Sequence, residues 1–361
     1  MKVAILLPVL ARHDAVGNDA MAMAQILRER GIDTRIYCDV AVGIDAPVFE
    51  PAQLPGFASG PDDLVIYHFS VGWPLAIDLL RKVRGRRAVR YHNVTPASFF
   101  DRHAADYAAA CTRGRAEIAR LVALDCEHYL AASQFNLDEL IEHGAPARRG
   151  VVFAPFHRVE QLCAQPADLT LLDELDDDAF TVLMVGRIAP NKGHVALIDA
   201  FAAHIDAHGD PARLLIVGKS DPRLSSYVDL IHQRIAHHRL GDRICWLESV
   251  NEARLKAAYL SSDVFMTMSQ HEGFCVPVIE AMALGVPVLA RATSALPETI
   301  GDGGLCWDSE DPLVYAASLA RLRDDAQVRH VLRDKARRRY AGEFAPRVLR
   351  ERFLSALGIA P

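Results

Sequence analysis

The sequence predicts an α/β chain built from two doubly wound domains. Short, unbroken apolar runs of strand length alternate with amphipathic, helix-like segments along its 361 residues, the pattern of parallel strands covered on both faces. That alternation stops once and restarts, and a chain of this length suits two domains of ordinary size.

In the first half, strands are expected at Val3–Val9, Thr34–Cys38, Leu64–Phe69, Ala88–Tyr91, His128–Ala132 and Val151–Ala154. Helices are expected between them at 18–30, 74–84, 101–123 and 133–143. The second half offers strands at Val182–Val185, Leu214–Val217, Ile244–Leu247, Val264–Met268 and Val286–Ala290. Its helices are expected at 193–207, 223–239, 251–260, 277–284, 312–322 and 325–340. From Gln161 to Asp178 there is a proline, several acids and no buried-strand pattern. The expected division is therefore a first domain over 1–165, a linker over 166–178, a second domain over 179–342 and a closing segment over 343–361. The run Asp176-Asp177-Asp178 reads as solvated linker, because no other ligand type accompanies it. In the closing segment, Val348, Leu349, Phe353, Leu354 and Leu357 mark a helix that must bury one face, and crossing back onto the first domain is one way to do so.

Composition narrows the function classes. Forty basic against 46 acidic side chains give a formal charge of -6, which argues against nucleic acid as a partner. The seven cysteines form no C-x-x-C pair, so free thiols in a reducing cytosol fit better than disulfides or zinc. Lys2 followed by the apolar run Val3–Ala11 has the outline of a signal peptide. Pro8 interrupts it, however, and Arg12-His13-Asp14 follows without a small-x-small cleavage site, so a first buried strand is the reading adopted. No apolar stretch reaches the ~20 residues needed to span a bilayer. The expected location is cytoplasmic.

Open α/β sheets bind ligands beyond the carboxyl ends of their strands, so functional residues are sought in the loops that follow strands. The first such loop is Gly186-Arg187-Ile188-Ala189-Pro190-Asn191-Lys192-Gly193. Its Arg187 offers a planar fork and its Lys192 a point charge, a pairing suited to a diphosphate. The second is His271-Glu272-Gly273-Phe274-Cys275-Val276-Pro277-Val278-Ile279-Glu280-Ala281-Met282-Ala283. Here Gly273 permits close backbone approach, Pro277 fits a first helical turn, and the helix-start amides form an anion site. Glu280, one turn into the helix, suits a ribose diol, and Glu272 suits sugar hydroxyls.

Two glutamates seven residues apart within His-Glu-Gly-Phe-Cys-x-Pro-x-x-Glu-Ala-Met-Ala resemble the signature of retaining glycosyltransferases of family four, which have the GT-B fold. The Gly-Arg-x-x-Pro-x-Lys-Gly loop and the segment Ala295-Leu296-Pro297-Glu298-Thr299-Ile300-Gly301-Asp302-Gly303-Gly304-Leu305 resemble the same family. The resemblance implies two Rossmann-like domains facing each other across a cleft, with a nucleotide sugar held by the second. Arg187 and Lys192 would neutralise the leaving diphosphate, which removes the need for a metal. Glu280 would grip the ribose. Glu272, with the amides of Gly273, Phe274 and Cys275, would orient the donor sugar.

The first domain carries weaker marks. Gly17, in Arg12-His13-Asp14-Ala15-Val16-Gly17-Asn18-Asp19, can bring amides near the donor phosphates, with Asn18 or Asp19 capping the next helix. The family often has two glycines here, and this chain has one. Tyr91-His92-Asn93-Val94-Thr95-Pro96 resembles a subgroup with His-Asn-x-Thr-Pro in this place. His92 is the candidate contact to the transferred sugar, and His68 and Asn93 are acceptor-side candidates. Arg81, Lys82, Arg84, Arg86, Arg87 and Arg90 contain no acid between them. This cluster reads either as a solvated helix end or as a peripheral contact to anionic lipid or a pyrophosphate-linked lipid acceptor.

The resemblance implies transfer of a hexose from GDP-mannose or a UDP-hexose to a glycan or lipid-linked glycan, as in bacterial surface-polysaccharide synthesis. A small soluble acceptor is the alternative. An inactive nucleotide-sugar-binding protein would dispense with His92 and Glu272. A dinucleotide oxidoreductase needs G-x-G-x-x-G after the first strand, where Val9-Leu10-Ala11-Arg12-His13 stands instead.

Overall fold

A computed structural model describes residues 1–12, 14–209 and 211–360. The chain divides into two units. The first is Met1–Ser98, Asp106–His157 and Ala345–Pro361; the second is Phe99–Ala105 and Arg158–Phe344. Each is built on a six-stranded parallel sheet with its own apolar core.

The first unit contains β1 (Lys2–Leu6), β2 (Val9–Ala11), β3 (Asp33–Tyr37), β4 (Val40–Val42), β5 (Leu64–Phe69), β6 (Arg86–Tyr91), β7 (His128–Ala131) and β8 (Gly150–Val152). The main sheet runs β3-β1-β5-β6-β7-β8, and β2 pairs with β4 as a separate two-stranded ribbon. Its helices are α1 (Ala15–Glu29), α2 (Leu54–Phe57), α3 (Pro74–Lys82), α4 (Ala105–Val122) and α5 (Gln134–Glu142). Helix α1 starts where the Asp14 carboxylate accepts from the Gly17 amide, and it buries the stripe Ala20, Met23, Ala24 and Leu27 against the sheet. The last helix, Pro346–Ala356, belongs to this unit. Phe353 is fully buried, with ring centroids 6.1 Å from Phe153 and 5.7 Å from Phe156.

The second unit contains β9 (Phe180–Val185), β10 (Ala212–Val217), β11 (Ile244–Leu247), β12 (Val264–Thr267), β13 (Val288–Arg291) and β14 (Gly304–Trp307), ordered β11-β10-β9-β12-β13-β14. Its helices are α6 (Val159–Ala164), α7 (Leu169–Glu174), α8 (His194–His208), α9 (Ser225–His237), α10 (Glu252–Leu260), α11 (Val276–Leu284), α12 (Leu296–Ile300), α13 (Pro312–Asp324) and α14 (Ala326–Arg339).

The stretch expected to be a linker is folded instead. Asp168 caps α7 by accepting from the Leu171 amide, and Leu171 is buried. The Asp168 amide donates to Ala253 O, and Lys256 Nζ donates to Cys163 O and Gln165 O. These contacts dock residues 159–175 on α10, so the first unit's continuous stretch ends at His157 rather than at 165. Strand β14 went unrecognised in the sequence because it is a half-exposed edge strand that begins at a glycine, with no buried run to reveal it.

Both sheets reverse their strand order once. In the first unit, β3 and β5 flank β1; in the second, β10 and β12 flank β9. Ligands of such sheets bind at this switch point, beyond the carboxyl ends of the strands.

Candidate functional site

In the second unit, the loops leaving β9 and β12 meet at the switch point. The Asn191 carbonyl accepts from the amides of Gln270 (2.8 Å) and His271 (3.4 Å), and its side-chain amide donates to His271 O (3.1 Å). Gly193 has φ 70°, and a Cβ there would stand 1.9 Å from Met268 O, so only glycine allows the two backbones to touch. Lys192 Nζ donates to both carboxylate oxygens of Glu272 at 2.8 Å. A third loop, after β13, joins them. The Glu272 amide donates to Ser294 Oγ (2.7 Å), the Ala295 amide donates to Glu272 O (3.3 Å), and Thr293 Oγ1 donates to Ser269 O (2.5 Å).

Beyond Glu272 the chain prepares a helix start. Cys275 precedes α11 at φ 131°, and Ser294 lies at φ 45°. Both are non-glycine residues in a strained backbone region, the kind of strain that gathers at functional loops. Among the described residues, the amides of Gly273, Phe274 and Cys275 donate no hydrogen bond. The Phe274 ring packs on Phe344 (5.6 Å between centroids), leaving only its backbone to the site. Burial pushes the Cys275 thiol far above its ordinary range. The thiol also feels Glu272, Lys192 and Glu280, which places all three charges around one residue. On α11, Glu280 accepts from the hydroxyl of the fully buried Tyr259 at 2.7 Å. Burial raises its carboxyl to about 7; the Tyr259 hydrogen bond opposes the shift and Glu252 adds to it. Arg187 is exposed on its loop, while the Gly186 amide is engaged by Val217 O at 2.9 Å.

The first unit places a different centre at its own switch point. Asp19 on α1 is fully buried and accepts from Arg90 Nε (2.7 Å) and the Phe156 amide (2.7 Å). His92 Nε2 lies 3.1 Å from His68 Nδ1 and 3.5 Å from Asp19 Oδ2.

Several sequence-based roles change here. Asp14, not Asn18 or Asp19, caps α1, because Asp19 falls on the helix's buried stripe. The Gly17 amide is engaged by Asp14, and a Cβ on Gly17 would stand 2.5 Å from Ala11 O, so close packing is its visible role. Asn93 is buried at φ 78° and donates to Asn136 Oδ1 and Glu139 Oε2, turned into the unit rather than toward a ligand. His13 lies outside the described residues. The basic cluster from Arg81 to Arg90 is no continuous cationic face either. Arg90 is the buried partner of Asp19, and Arg86 makes two 2.6 Å bonds to Glu127. Arg87 donates to Leu80 O, whereas Arg81, Lys82 and Arg84 are exposed.

Sequence reasoning missed Asp19, Arg90, Asn191, Tyr259 and Ser294 as members of these centres. Two of them carried a readable signal. Arg90 interrupts an apolar strand, and Asp19 sits four and eight residues before Met23 and Leu27 on the same helix face. A charge on a buried face requires a partner.

Residues 173–339 match the family model described as Glycosyl transferases group 1. A D-inositol 3-phosphate glycosyltransferase of Geodermatophilus obscurus is 28% identical over 233 residues, covering 62% of this chain and 50% of that protein. The enzyme of that name from Corynebacterium efficiens is 34% identical over 157 residues, covering 42% and 36%. The chain thus spans half or less of the length of these curated relatives. Among solved structures, Anabaena HepE in complex with UDP superposes with a TM-score of 0.77 at 17% identity, over 99% of this chain and 100% of that one. WaaG, a glycosyltransferase involved in lipopolysaccharide biosynthesis, gives 0.70 at 15% identity over 99% of each. The fold is GT-B, with two Rossmann-like parallel-sheet domains.

Proposed function

We propose that this chain is a retaining, metal-independent glycosyltransferase whose second unit binds a nucleoside-diphosphate sugar. The observation that carries this reading is the joining of three βα loops at one switch point. They bring Lys192, Glu272, Glu280 and a helix start with unengaged amides around Cys275. A group-1 match over residues 173–339 supports it.

In this reading the diphosphate lies on the amides of Gly273 to Cys275, with Arg187 and Lys192 as its counter-charges. Lys192 leaves Glu272 for the phosphate, and Glu272 turns to the sugar hydroxyls. Glu280 in its carboxylate form accepts the ribose hydroxyl hydrogens, held by Tyr259. As the bond from the anomeric carbon to the diphosphate breaks, negative charge grows on phosphate, and the fixed cations stabilise it. His92 contacts the transferred sugar. The first donor to test is UDP-glucose, because HepE is solved with UDP and with UDP-glucose; GDP-mannose is the comparison.

Two acceptors are in play. A glycan or lipid-linked glycan is the first reading, in keeping with a fold shared with WaaG, a glycosyltransferase involved in lipopolysaccharide biosynthesis, and peripheral membrane contact would then fall to the exposed Arg81, Lys82 and Arg84. A small phosphorylated polyol is the second reading, favoured by the name of the matched relatives.

The test is thermal unfolding with each donor, followed by transfer assays in EDTA on both acceptor types. A donor at 100 times its Kd adds about 2.7 kcal/mol of stability. Product from UDP-glucose should keep the donor's anomeric configuration by NMR. No upshift and no product with either donor sinks the proposal.

A further inference from the structure

The buried centre of the first unit has a chemistry that the proposed transfer leaves unused. Asp19, His68 and Arg90 are all fully buried. Arg90 Nε and the Phe156 amide fix the two oxygens of Asp19 at 2.7 Å each. Arg90 is itself held by Phe153 O at 3.0 Å, with its guanidinium 4.1 Å over the Phe153 ring. Against this rigid carboxylate, His92 Nε2 stands 3.5 Å from Asp19 Oδ2 and 3.1 Å from His68 Nδ1. His92 Nδ1 makes no hydrogen bond with the described residues, and the side chain retains 7% of its exposure.

The ligating atoms of Asp19, His68 and His92 lie within 4.8 Å of one another, a spacing a metal ion could use. Arg90 argues against one, because a dication there would face a buried guanidinium in a medium that screens charge poorly. Burial, reinforced by the Arg90 charge, pushes both imidazoles well below their ordinary values, so both are neutral near pH 7. Two neutral rings whose nitrogens meet at 3.1 Å share one hydrogen. On His92 Nε2, that hydrogen faces both the His68 lone pair and the carboxylate. On His68 Nδ1, it would stand 3.8 Å from that carboxylate oxygen and turn the nearer His92 lone pair, at 3.5 Å, toward it, so the first arrangement puts the hydrogen on the closer nitrogen and the lone pair on the farther one. The first arrangement costs His68 an unpartnered N–H at Nε2, which is buried.

We infer that Asp19 and His68 are positioning residues for His92: they hold its proton on Nε2 and present Nδ1 as a hydrogen-bond acceptor to a sugar hydroxyl. This rests on the assignment of His92 to the transferred sugar. It selects hydroxyl-bearing positions of the sugar over positions that can only accept.

The tautomer is read directly from two-bond 1H–15N correlation spectra of the full chain. Wild type should show His92 as the Nε2–H form and uncharged near pH 7. Asp19 is left intact in the test, since replacing it would strand Arg90. His68→Phe removes the 3.1 Å partner of His92 Nε2 and leaves only the longer 3.5 Å contact to Asp19, so it should give His92 mixed tautomers. The same variant should slow transfer roughly 10- to 100-fold at unchanged donor Kd, by analogy with the loss of a group that orients a metal-bound histidine. His68→Asn returns an amide near the Nδ1 position and should restore both the single tautomer and most of the rate. An Nδ1–H His92 in wild type, or an unchanged His92 spectrum in folded His68→Phe, overturns the inference. If the spectra agree but wild type turns over no nucleotide sugar, the transferase reading falls and the positioning stands.

Discussion

Both units gather their polar residues at the point where strand order reverses, yet they hold them in opposite ways. The first unit seals a complete ion pair inside the fold, with Asp19, Arg90 and His68 at no exposure and only His92 reaching outward. The second builds its centre on loops, stapled by Asn191 and Ser294, with the half-buried Lys192 paired to the buried Glu272. A sealed pair fixes geometry at the expense of any substitution. A loop-borne pair can exchange partners when a ligand arrives. Geometry is fixed in one unit, and charge is exchangeable in the other.

The sharpest way to break this comparison is to remove one half of the sealed pair. Arg90→Leu should destabilise the chain by about 3–5 kcal/mol, because it strands a buried carboxylate. The double variant Asp19→Leu/Arg90→Leu should recover much of that loss in denaturant unfolding. A folded Arg90→Leu with wild-type stability would mean that the pair is not sealed.

The loop-borne pair should respond differently. Lys192→Ala unpairs the buried Glu272 but removes a half-buried cation, so it should cost less stability than Arg90→Leu while costing turnover about 2–4 kcal/mol, roughly 30- to 1,000-fold. Steady-state kinetics beside a melting curve separates the two effects. A wild-type rate would remove Lys192 from the leaving-group site.

The smallest expected effect lies at Glu280. Its carboxyl, ordinarily at 4.5, is raised by burial to about 7. The folded chain therefore keeps a proton that the unfolded chain releases, so this group's stabilisation is present below about 4.5 and declines as pH climbs to 7. In the proposed reading donor binding has the opposite sign, because a ribose diol held by Glu280 needs the carboxylate. Donor affinity should rise about 10-fold between pH 6 and 8, and Glu280→Gln should be weaker and flat in calorimetry. An unaltered slope in the variant would assign the titration elsewhere.

What the sequence revealed follows the same contrast. The second unit's site was legible because its members are consecutive in two loops, so Gly186–Gly193 and His271–Ala283 each read as a unit. The strand-helix alternation was legible for the same reason, being local and periodic. The first unit's centre was not. Asp19, His68, Arg90 and His92 come from three elements, and spacing alone does not bring them together. Arg90 stood among five other cations in the sequence, which masked its burial. Asn191 and Ser294 act through backbone-directed bonds that need no fixed partner type. The folded stretch after His157 was misread because its contacts run to α10, about 90 residues away in the chain.

The closing helix has a consequence for how the protein is made. Phe353 completes an aromatic cluster with Phe153 and Phe156 in the unit that contains the first 98 residues. During synthesis the ribosome delivers that helix only after the whole of 158–344 has emerged. The usual amino-terminal-first order of domain folding is thereby inverted: the later-made unit can finish its core while the earlier-made one still waits for its final piece.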